Sequence, residues 1–374
     1  MTDTPALESL PTLERLPTLE RLIVRRTRIP LTTPYKLAFG AVVAFDTLLV
    51  EALLSDGRSG WGEATVLTGY TDETMESAWA TATAMAGPLI GTGADAAMTA
   101  AMAHHHAAPF TTTAFVTAIE MALGHELLTG AAPPAPLLAI VNATERGAIA
   151  DEIEARLDDG FTTLKVKVGF ERRSDMERLA YIQDFVGTRA QLRVDGNQGY
   201  SEVDGIAFVA GIDPAGIELV EQPCAAGDWQ AAVSVARTAK PRGVPVMLDE
   251  SIYGLDDVDR ARDLECADII KLKLMKASGL DALVRGLRHI RAAGMRPVLG
   301  NGVAGDIGCW MEARVAAREI DNAGEMNGFL KPRQRLFEIP MRLERGRLIF
   351  DEGGAVVPDM DAIDAVSEET KDYH

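Results

Sequence analysis

The chain has 374 residues, of which 47% are hydrophobic and 25% charged, and its formal net charge is −18. This length supports a large core divided over about two domains. The acidic excess argues against partners such as nucleic acid or an anionic membrane, which carry negative charge themselves. The three cysteines form no CxxC pair, so we expect reduced thiols in a cytoplasmic protein.

The N-terminus contains a repeated hexapeptide, Pro-Thr-Leu-Glu-Arg-Leu, at residues 11–16 and 17–22. Two copies are too few to build a repeat fold. We therefore predict that residues 1–21 are a dispensable N-terminal extension and that the first domain begins at residue 22.

Residues 22–132 have the pattern of a small α+β capping domain. Three runs of apolar and β-branched residues predict antiparallel strands, and they span 22–29, 45–54 and 60–64. Ala-rich sequence with helical periodicity follows to about residue 130. The tail 336–374 begins with strand-like sequence at 336–350, and we expect this tail to return to the capping domain.

Between residues 133 and 335, short apolar strands alternate with helical segments about eight times. This alternation predicts a TIM-type barrel with seven or eight β/α units. An open, doubly wound parallel sheet is the alternative. The chain has no GxGxxG after a strand, which argues against the dinucleotide-binding version of that sheet. The eighth strand, expected around Gly324–Met326, has the weakest strand pattern.

Three carboxylates, Asp195, Glu221 and Asp249, end successive predicted strands. Active-site residues of such barrels lie at the carboxyl ends of the strands, so these side chains should converge. Converging carboxylates repel one another unless a cation neutralises them. Oxygen ligands without His or Cys suit Mg²⁺. We therefore predict a Mg²⁺ site, with Mn²⁺ as a substitute ion.

Two pairs of lysines lie near these carboxylates. Lys165 and Lys167 are two residues apart on one strand, so their side chains point to the same side. Neighbouring ammonium groups oppose each other's charge, and we expect a lowered lysine pKa and an amine that is basic near neutral pH. Lys271 and Lys273 share a face of the sixth strand. We assign a catalytic role to Lys273 and leave Lys271 unassigned.

The combined motifs resemble the enolase superfamily, in the branch of mandelate racemase and muconate-lactonising enzyme. They are Lys165-Val166-Lys167, Asp195-Gly196-Asn197, Glu221-Gln222-Pro223, Asp249-Glu250-Ser251 and Lys273. The resemblance implies that a substrate carboxylate binds Mg²⁺ and that a lysine removes the proton on the adjacent carbon, giving an enediolate. It also implies that Lys167 and Lys273 are the bases on opposite faces, with Lys165 as an electrostatic helper.

Further residues are expected to support the site. Family layout places specificity loops on the small domain, where the candidates are Tyr35, Phe39 and Tyr70. Asn197 and Glu250 are assigned to support, and Asn301 and Glu325 to substrate contact or water orientation.

Two departures from the family pattern bear on the substrate. The family often has Asn or a small residue where this chain has Lys271. The Asp-x-Asp of dipeptide epimerases is absent, since the sequence there reads Gly324-Glu325-Met326-Asn327-Gly328. A dipeptide substrate is therefore disfavoured.

We expect an isomerase that racemises or epimerises a small carboxylate, such as an amino-acid derivative. The alternative is a cycloisomerase or dehydratase, in which a single lysine moves the proton. The third possibility is a non-catalytic metal-binding barrel. We also expect the chain to form a homo-oligomer. We expect its ligand to be a small-molecule carboxylate substrate.

Overall fold

The structure is a computed structural model that describes residues 17–37, 40–67, 73–351 and 356–374. Its strands are β1 (Leu19–Leu37), β2 (Gly40–Leu54), β3 (Ser59–Thr65), β4 (Ala135–Pro136), β5 (Ala139–Val141), β6 (Thr163–Lys167), β7 (Gln191–Asp195), β8 (Ile217–Glu221), β9 (Val246–Leu248), β10 (Ile269–Leu272), β11 (Arg296–Leu299), β12 (Arg342–Glu344), β13 (Arg347–Ile349) and β14 (Ser367–Tyr373).

Its α-helices are α1 (Met75–Leu89), α2 (Ala94–Met102), α3 (Pro109–Ala122), α4 (Arg146–Asp158), α5 (Arg172–Val186), α6 (Glu202–Gly211), α7 (Trp229–Ala239), α8 (Leu255–Asp263), α9 (Leu280–Ala292), α10 (Asp306–Glu319) and α11 (Met360–Val366). Short 3₁₀ turns lie at Glu126–Leu128, Lys240–Arg242, Leu274–Lys276 and Gly328–Leu330.

An antiparallel sheet in the order β14-β1-β2-β3 forms the capping part of the molecule. Helix α3 lies directly against β3, because Gly60 and Gly62 have no Cβ there. A Cβ at Gly60 would collide with the backbone of Ala118 and Ala122, and one at Gly62 with the backbone of Ala114. The two glycines therefore set the distance between sheet and helix.

Strand β1 begins at Leu19, inside the segment predicted to be an extension, so the predicted boundary at residue 22 is too late. Leu19 and Leu22 are fully buried, and Arg21 Nε donates to Asp372 at 2.9 Å. The second hexapeptide copy thus contributes to the sheet. The first copy, at 11–16, lies outside the described residues.

The C-terminal tail returns to the capping sheet through β14, which pairs antiparallel with β1. The strand-like stretch 336–350 does not take part in this pairing. Its strands β12 and β13 pair with each other, and β13 pairs with β4 at the start of the barrel. The prediction that this stretch joins the first domain was therefore wrong, and residues 367–373 make the contact instead.

Seven parallel strands, β5 to β11, form the barrel sheet in strictly sequential order. A doubly wound sheet would reverse its strand order part-way, so that alternative is excluded and the barrel prediction is confirmed. The predicted eighth strand is absent from the described residues. At its place Gly324 forms a single bridge to Leu137, and Glu325 N donates to Leu299 O at 3.1 Å. This short segment connects the two edges of the sheet.

Part of the barrel interior below the carboxyl ends of its strands is apolar. Leu219, Met247, Ile269 and Val298 form a separate buried cluster there. No helix in the described ranges has the length and apolar character needed to cross a membrane.

Candidate active site

Acidic and basic side chains converge at the carboxyl ends of β6 to β10. Parallel pairing puts Lys167 opposite Asp195 and Asp195 opposite Glu221. Asp249 and Lys273 lie just beyond the ends of β9 and β10. The residues Asp195, Glu221 and Asp249 are each at most 2% exposed. Charges in such a place interact strongly, because little water screens them.

The two lysines expected to act as bases lie on either side of the three carboxylates. Lys167 Nζ is 2.7 Å from Asp195 Oδ2, and Lys273 Nζ is 2.7 Å from Asp249 Oδ2. The strand order β10-β9-β8-β7-β6 places Glu221 midway between these two ion pairs. The site is therefore symmetric in its charges, with a lysine at each flank.

Two further lysines bridge neighbouring carboxylates. Lys165 Nζ lies 2.8 Å from Asp195 Oδ2 and 2.9 Å from Glu221 Oε2. Lys271 Nζ lies 3.0 Å from Glu221 Oε1 and 3.7 Å from Asp249 Oδ2. Both ammonium groups also contact Glu325 Oε2. Each pair of adjacent carboxylates is thus bridged by an ammonium group.

The lowered lysine pKa expected from the sequence is wrong for Lys165. Burial lowers the pKa of Lys165, but Asp195, Glu221 and Glu325 outweigh burial and raise that pKa well above its usual value. Burial likewise lowers the pKa of Lys273, and Asp249 and Glu250 more than reverse the effect. Spacing along one strand did not reveal these carboxylates, which come from other strands.

The carboxylates respond in opposite directions to the same surroundings. Burial raises the pKa of Asp195, but Lys165 and Lys167 outweigh it and lower that pKa to about 2. Burial and the charge of Asp195 raise the pKa of Glu221. The lysines therefore favour the charged form of Asp195, while burial and the charge of Asp195 oppose the charged form of Glu221.

The donor set fits a hard divalent cation such as Mg²⁺, because all three predicted ligands are carboxylates. Ammonium groups already lie beside these carboxylates, which shows that the site accepts positive charge. The carboxylates of Asp195, Glu221 and Asp249 are not all within 4.8 Å of one another. Among the described residues, the set that meets this distance is Glu120, His125 and Asp281.

That second set is explained by helix capping. Glu120 accepts backbone N–H groups from Leu280 at 2.7 Å and Asp281 at 3.2 Å, at the start of α9. His125 Nε2 lies 3.1 Å from Asp281 Oδ1, and its Nδ1 accepts from Leu127 N. Each group already has a partner, so the arrangement stabilises the end of a helix.

Asn197 and Glu250 form a hydrogen-bonded link beside the three carboxylates. Asn197 Nδ2 donates to Glu250 Oε1 at 3.1 Å, and Asn197 Oδ1 accepts from Lys167 Nζ. The backbone N–H of Asn197 donates to Asp195 Oδ1 at 2.9 Å. Burial, with help from Asp249 and Asp195, raises the pKa of Glu250 to about 7. Both residues are placed to orient Lys167 and Asp195.

Gln222 has a positioning role that the sequence reasoning missed. Its Oε1 accepts backbone N–H groups from Asp249 at 3.1 Å and Ser251 at 3.2 Å. Its Nε2 donates to Cys224 O at 2.9 Å and Ser251 Oγ at 2.8 Å. Gln222 therefore ties the loop after β8 to the loop that carries Asp249. A Gln between the predicted ligand Glu221 and a proline was the available signal.

The remaining predicted residues differ in their contacts, and some of them lie outside the described part of the chain. Glu325 is 4% exposed and serves as an internal partner of Lys165 and Lys271. Asn301 Oδ1 accepts from Val303 N at 3.0 Å, which stabilises its own turn. The side chain of Tyr35 and all of Phe39 and Tyr70 lie outside the described residues.

Comparison with known proteins identifies the family. Residues 20–132 match the mandelate racemase/muconate lactonizing enzyme N-terminal domain, and residues 148–361 match the enolase C-terminal domain-like family. The chain belongs to the enolase superfamily. Its branch is that of mandelate racemase and muconate lactonizing enzyme, as the motifs predicted.

Curated relatives are isomerases. The L-Ala-D/L-Glu epimerase of Bacillus subtilis is 28% identical over 308 residues, covering 78% of this chain and 83% of the relative. Muconate cycloisomerase 1-1 of Acinetobacter lwoffii is 31% identical over 287 residues, covering 71% and 73%. These relatives place this chain among the isomerases of the superfamily.

A solved structure has the same fold. The dipeptide epimerase of Cytophaga hutchinsonii, complexed with Mg and the dipeptide D-Ala-L-Val, superposes with a TM-score of 0.85. Its sequence identity is 21%, and the match covers 96% of this chain and all of that one. The likeness confirms a capping domain joined to a TIM-like barrel.

Proposed function

We propose that this isomerase removes the proton adjacent to a substrate carboxylate and returns it to the opposite face, so that it racemises or epimerises a small carboxylate. The observation that carries the proposal is the position of Lys167 and Lys273 at opposite flanks of the carboxylate cluster, each 2.7 Å from an outer carboxylate. A base on each face of the reacting carbon is what inversion of a stereocentre requires.

Asp195, Glu221 and Asp249 would hold a Mg²⁺ ion. When bound, the ion would supply positive charge to the substrate carboxylate and to the enediolate left when the proton is removed. Lys165 would add a fixed positive charge at the same place, since it is 99% buried and cannot move into solvent. Gln222 keeps Asp249 in position through the backbone N–H of that residue.

The substrate class we propose is an amino-acid derivative. Named relatives include a dipeptide epimerase and an N-succinyl-L-Arg/Lys racemase, so both N-acylated amino acids and dipeptides belong in the test panel. Glu325 is already neutralised by Lys165 and Lys271, which disfavours its use as a partner for a substrate ammonium group. N-acylated substrates are therefore expected to be better than dipeptides with a free N-terminus.

The test is α-proton exchange in D₂O, followed by NMR for each stereoisomer of a substrate that turns over. Lys273→Ala should stop racemisation and still exchange the proton of one stereoisomer. Lys167→Ala should do the same for the opposite stereoisomer. Lys240→Ala, which removes an exposed lysine, should keep full racemisation and serves as the control.

The same measurement tests the alternative that the protein is a cycloisomerase or dehydratase. Similarity to a muconate cycloisomerase supports this alternative. There one lysine moves the proton and the other only stabilises charge. If both lysine variants lose exchange of the same stereoisomer, the two-base proposal is wrong and the single-base alternative is favoured. If both variants keep racemisation, neither lysine is a base.

A further inference from the structure

Lys271 occupies an unusual position for a strand-end lysine. It follows Ile269 on the inward face of β10, and Ile269 belongs to the apolar cluster below the site. Only 3% of Lys271 is exposed. A long side chain normally carries its charge out to water, but this one ends among carboxylates inside the barrel. Its ammonium group is therefore a fixed internal cation.

The contacts of Lys271 overlap with those that a metal ion would need. Its Nζ lies 3.0 Å from Glu221 Oε1 and 3.7 Å from Asp249 Oδ2, on two of the three proposed ligands. Its other contact is Glu325, which is not one of those ligands. Lys271 thus shares two carboxylates with the proposed metal position and has a third anion that stays available.

The charges of the cluster balance without a divalent ion. Four carboxylates contact four ammonium groups, and the residues are Asp195, Glu221, Asp249 and Glu325 with Lys165, Lys167, Lys271 and Lys273. A dication added to a neutral cluster gains less than one added to unpaired carboxylates. Part of its attraction is offset by repulsion from ammonium groups about 3–4 Å from the same oxygens.

We propose that Lys271 is a tethered counter-cation, which holds the ligand carboxylates together in the metal-free protein and competes with Mg²⁺ for Glu221 and Asp249. The proposal rests on the proposed metal site. It implies a metal-free protein that is unusually well ordered at its active site, and a Mg²⁺ affinity below that of the same three carboxylates without this lysine. When the metal binds, Lys271 keeps its contact with Glu325.

The experiment measures Mg²⁺ binding by isothermal titration calorimetry on metal-free protein, with thermal unfolding in the presence and absence of Mg²⁺. Lys271→Met removes the charge at nearly constant length, and Lys271→Gln removes the charge but keeps a hydrogen-bond donor. Lys240→Met is the matched control, because it removes the same charge from a side chain that is 71% exposed.

Both Lys271 variants should bind Mg²⁺ at least about tenfold more tightly than the parent, since a repelling unit charge a few ångströms away is removed. Without metal they should melt at a lower temperature, because Glu221 and Glu325 lose a partner, and Mg²⁺ should raise their melting temperature by more than it raises that of the parent. The control should match the parent in both measurements.

Unchanged or weaker Mg²⁺ binding in a folded Lys271→Gln variant would overturn the role of Lys271 and leave the metal site intact. Absence of Mg²⁺ binding in the parent and in both variants would overturn the metal site together with the inference built on it. If Lys271→Met does not fold, Lys271→Gln decides, because its amide can still donate to Glu221 and Glu325.

Discussion

Two lysines hold the carboxylate of Asp195 inside the site. Lys165 lies 2.8 Å and Lys167 2.7 Å from Asp195 Oδ2. Despite burial, these lysines keep the pKa of Asp195 at about 2. The stability that this charge supplies is therefore fully present above the usual aspartate pKa and is lost as the pH falls towards 2.

Asp195→Asn should consequently bind Mg²⁺ much more weakly and lose activity, since the charge of one of the three proposed ligands disappears. It should also unfold more easily at neutral pH, because Lys165 and Lys167 lose their common partner. Calorimetric titration with Mg²⁺ and turnover before and after chelation would check this. Asp204→Asn, at a partly exposed carboxylate paired with Arg172, is the control. Full activity after exhaustive chelation would contradict the prediction.

The residues of the site could be predicted from the sequence because active-site residues of such barrels lie at the carboxyl ends of the strands. Asp195, Glu221 and Asp249 each end a short apolar run, and barrel strands bring such ends together. The charge state of Lys165 could not be found in this way. It depends on Glu221 and Glu325, which lie 56 and 160 positions further along the chain, and only the closed barrel brings them within 3 Å.

At the scale of elements, α10 joins the capping domain to the barrel. Glu63 on β3 accepts backbone N–H groups from Ile307 at 3.0 Å and Gly308 at 3.1 Å, at the start of this helix. Arg314 donates from Nε to Leu127 O at 2.8 Å, beyond the end of α3. Helix propensity predicted α10, but not these buried charges, because their partners come from the other domain.

Glu312, also on α10, makes a testable contribution to stability. It accepts the backbone N–H of Leu274, the residue after Lys273, while its Oε2 has no hydrogen-bond partner within the described part of the chain. Burial raises the pKa of Glu312 to about 7. A raised carboxylate pKa means that folding favours the protonated form. Stability from this group is therefore full below about pH 4.5 and is lost as the pH rises through 7.

Glu312→Gln should keep the contact to Leu274 without the pH-dependent charge. The parent should lose stability between pH 5 and pH 8, and the variant should not. The unfolding free energy of the variant relative to that of the parent should therefore show a gain of roughly 2–3 kcal/mol between these pH values. Urea unfolding at the two pH values measures this difference. Glu177→Gln, at an exposed glutamate, controls for a general effect of removing a carboxylate. The same gain in both variants would rule out burial at position 312 as the cause.

At the scale of the whole molecule, the capping sheet is made from both ends of the chain. Strand β1 pairs with β14 in antiparallel register, from Leu22 opposite Tyr373 to Thr27 opposite Ser367. The tail from α11 onward therefore belongs to the same structure as the N-terminal strand. Hydropathy of the short β14 segment, Ser-Glu-Glu-Thr-Lys-Asp-Tyr, gave no sign of this, because it is an exposed edge strand stabilised by backbone hydrogen bonds.

The N-terminal repeat supplies the last prediction. A deletion of residues 1–16 leaves β1 complete, and we expect its melting temperature and turnover to equal those of the full chain. Extending the deletion through Leu22 removes two fully buried leucines, Leu19 and Leu22. Truncating a buried leucine to alanine typically costs about 2–5 kcal/mol, so Leu19→Ala alone should lower the melting temperature measurably. Glu20→Ala, at an exposed position between them, is the control.

Thermal unfolding of the two deletions and the two point variants shows which hexapeptide copy stabilises the fold. Both deletions remove the first copy, and only the longer deletion removes the second copy. Gel filtration of the same proteins tests the expected homo-oligomer. If the shorter deletion melts as early as the longer one, residues 1–16 contribute to the fold. If its melting temperature is kept and its elution volume changes, those residues build an interface between copies of the chain.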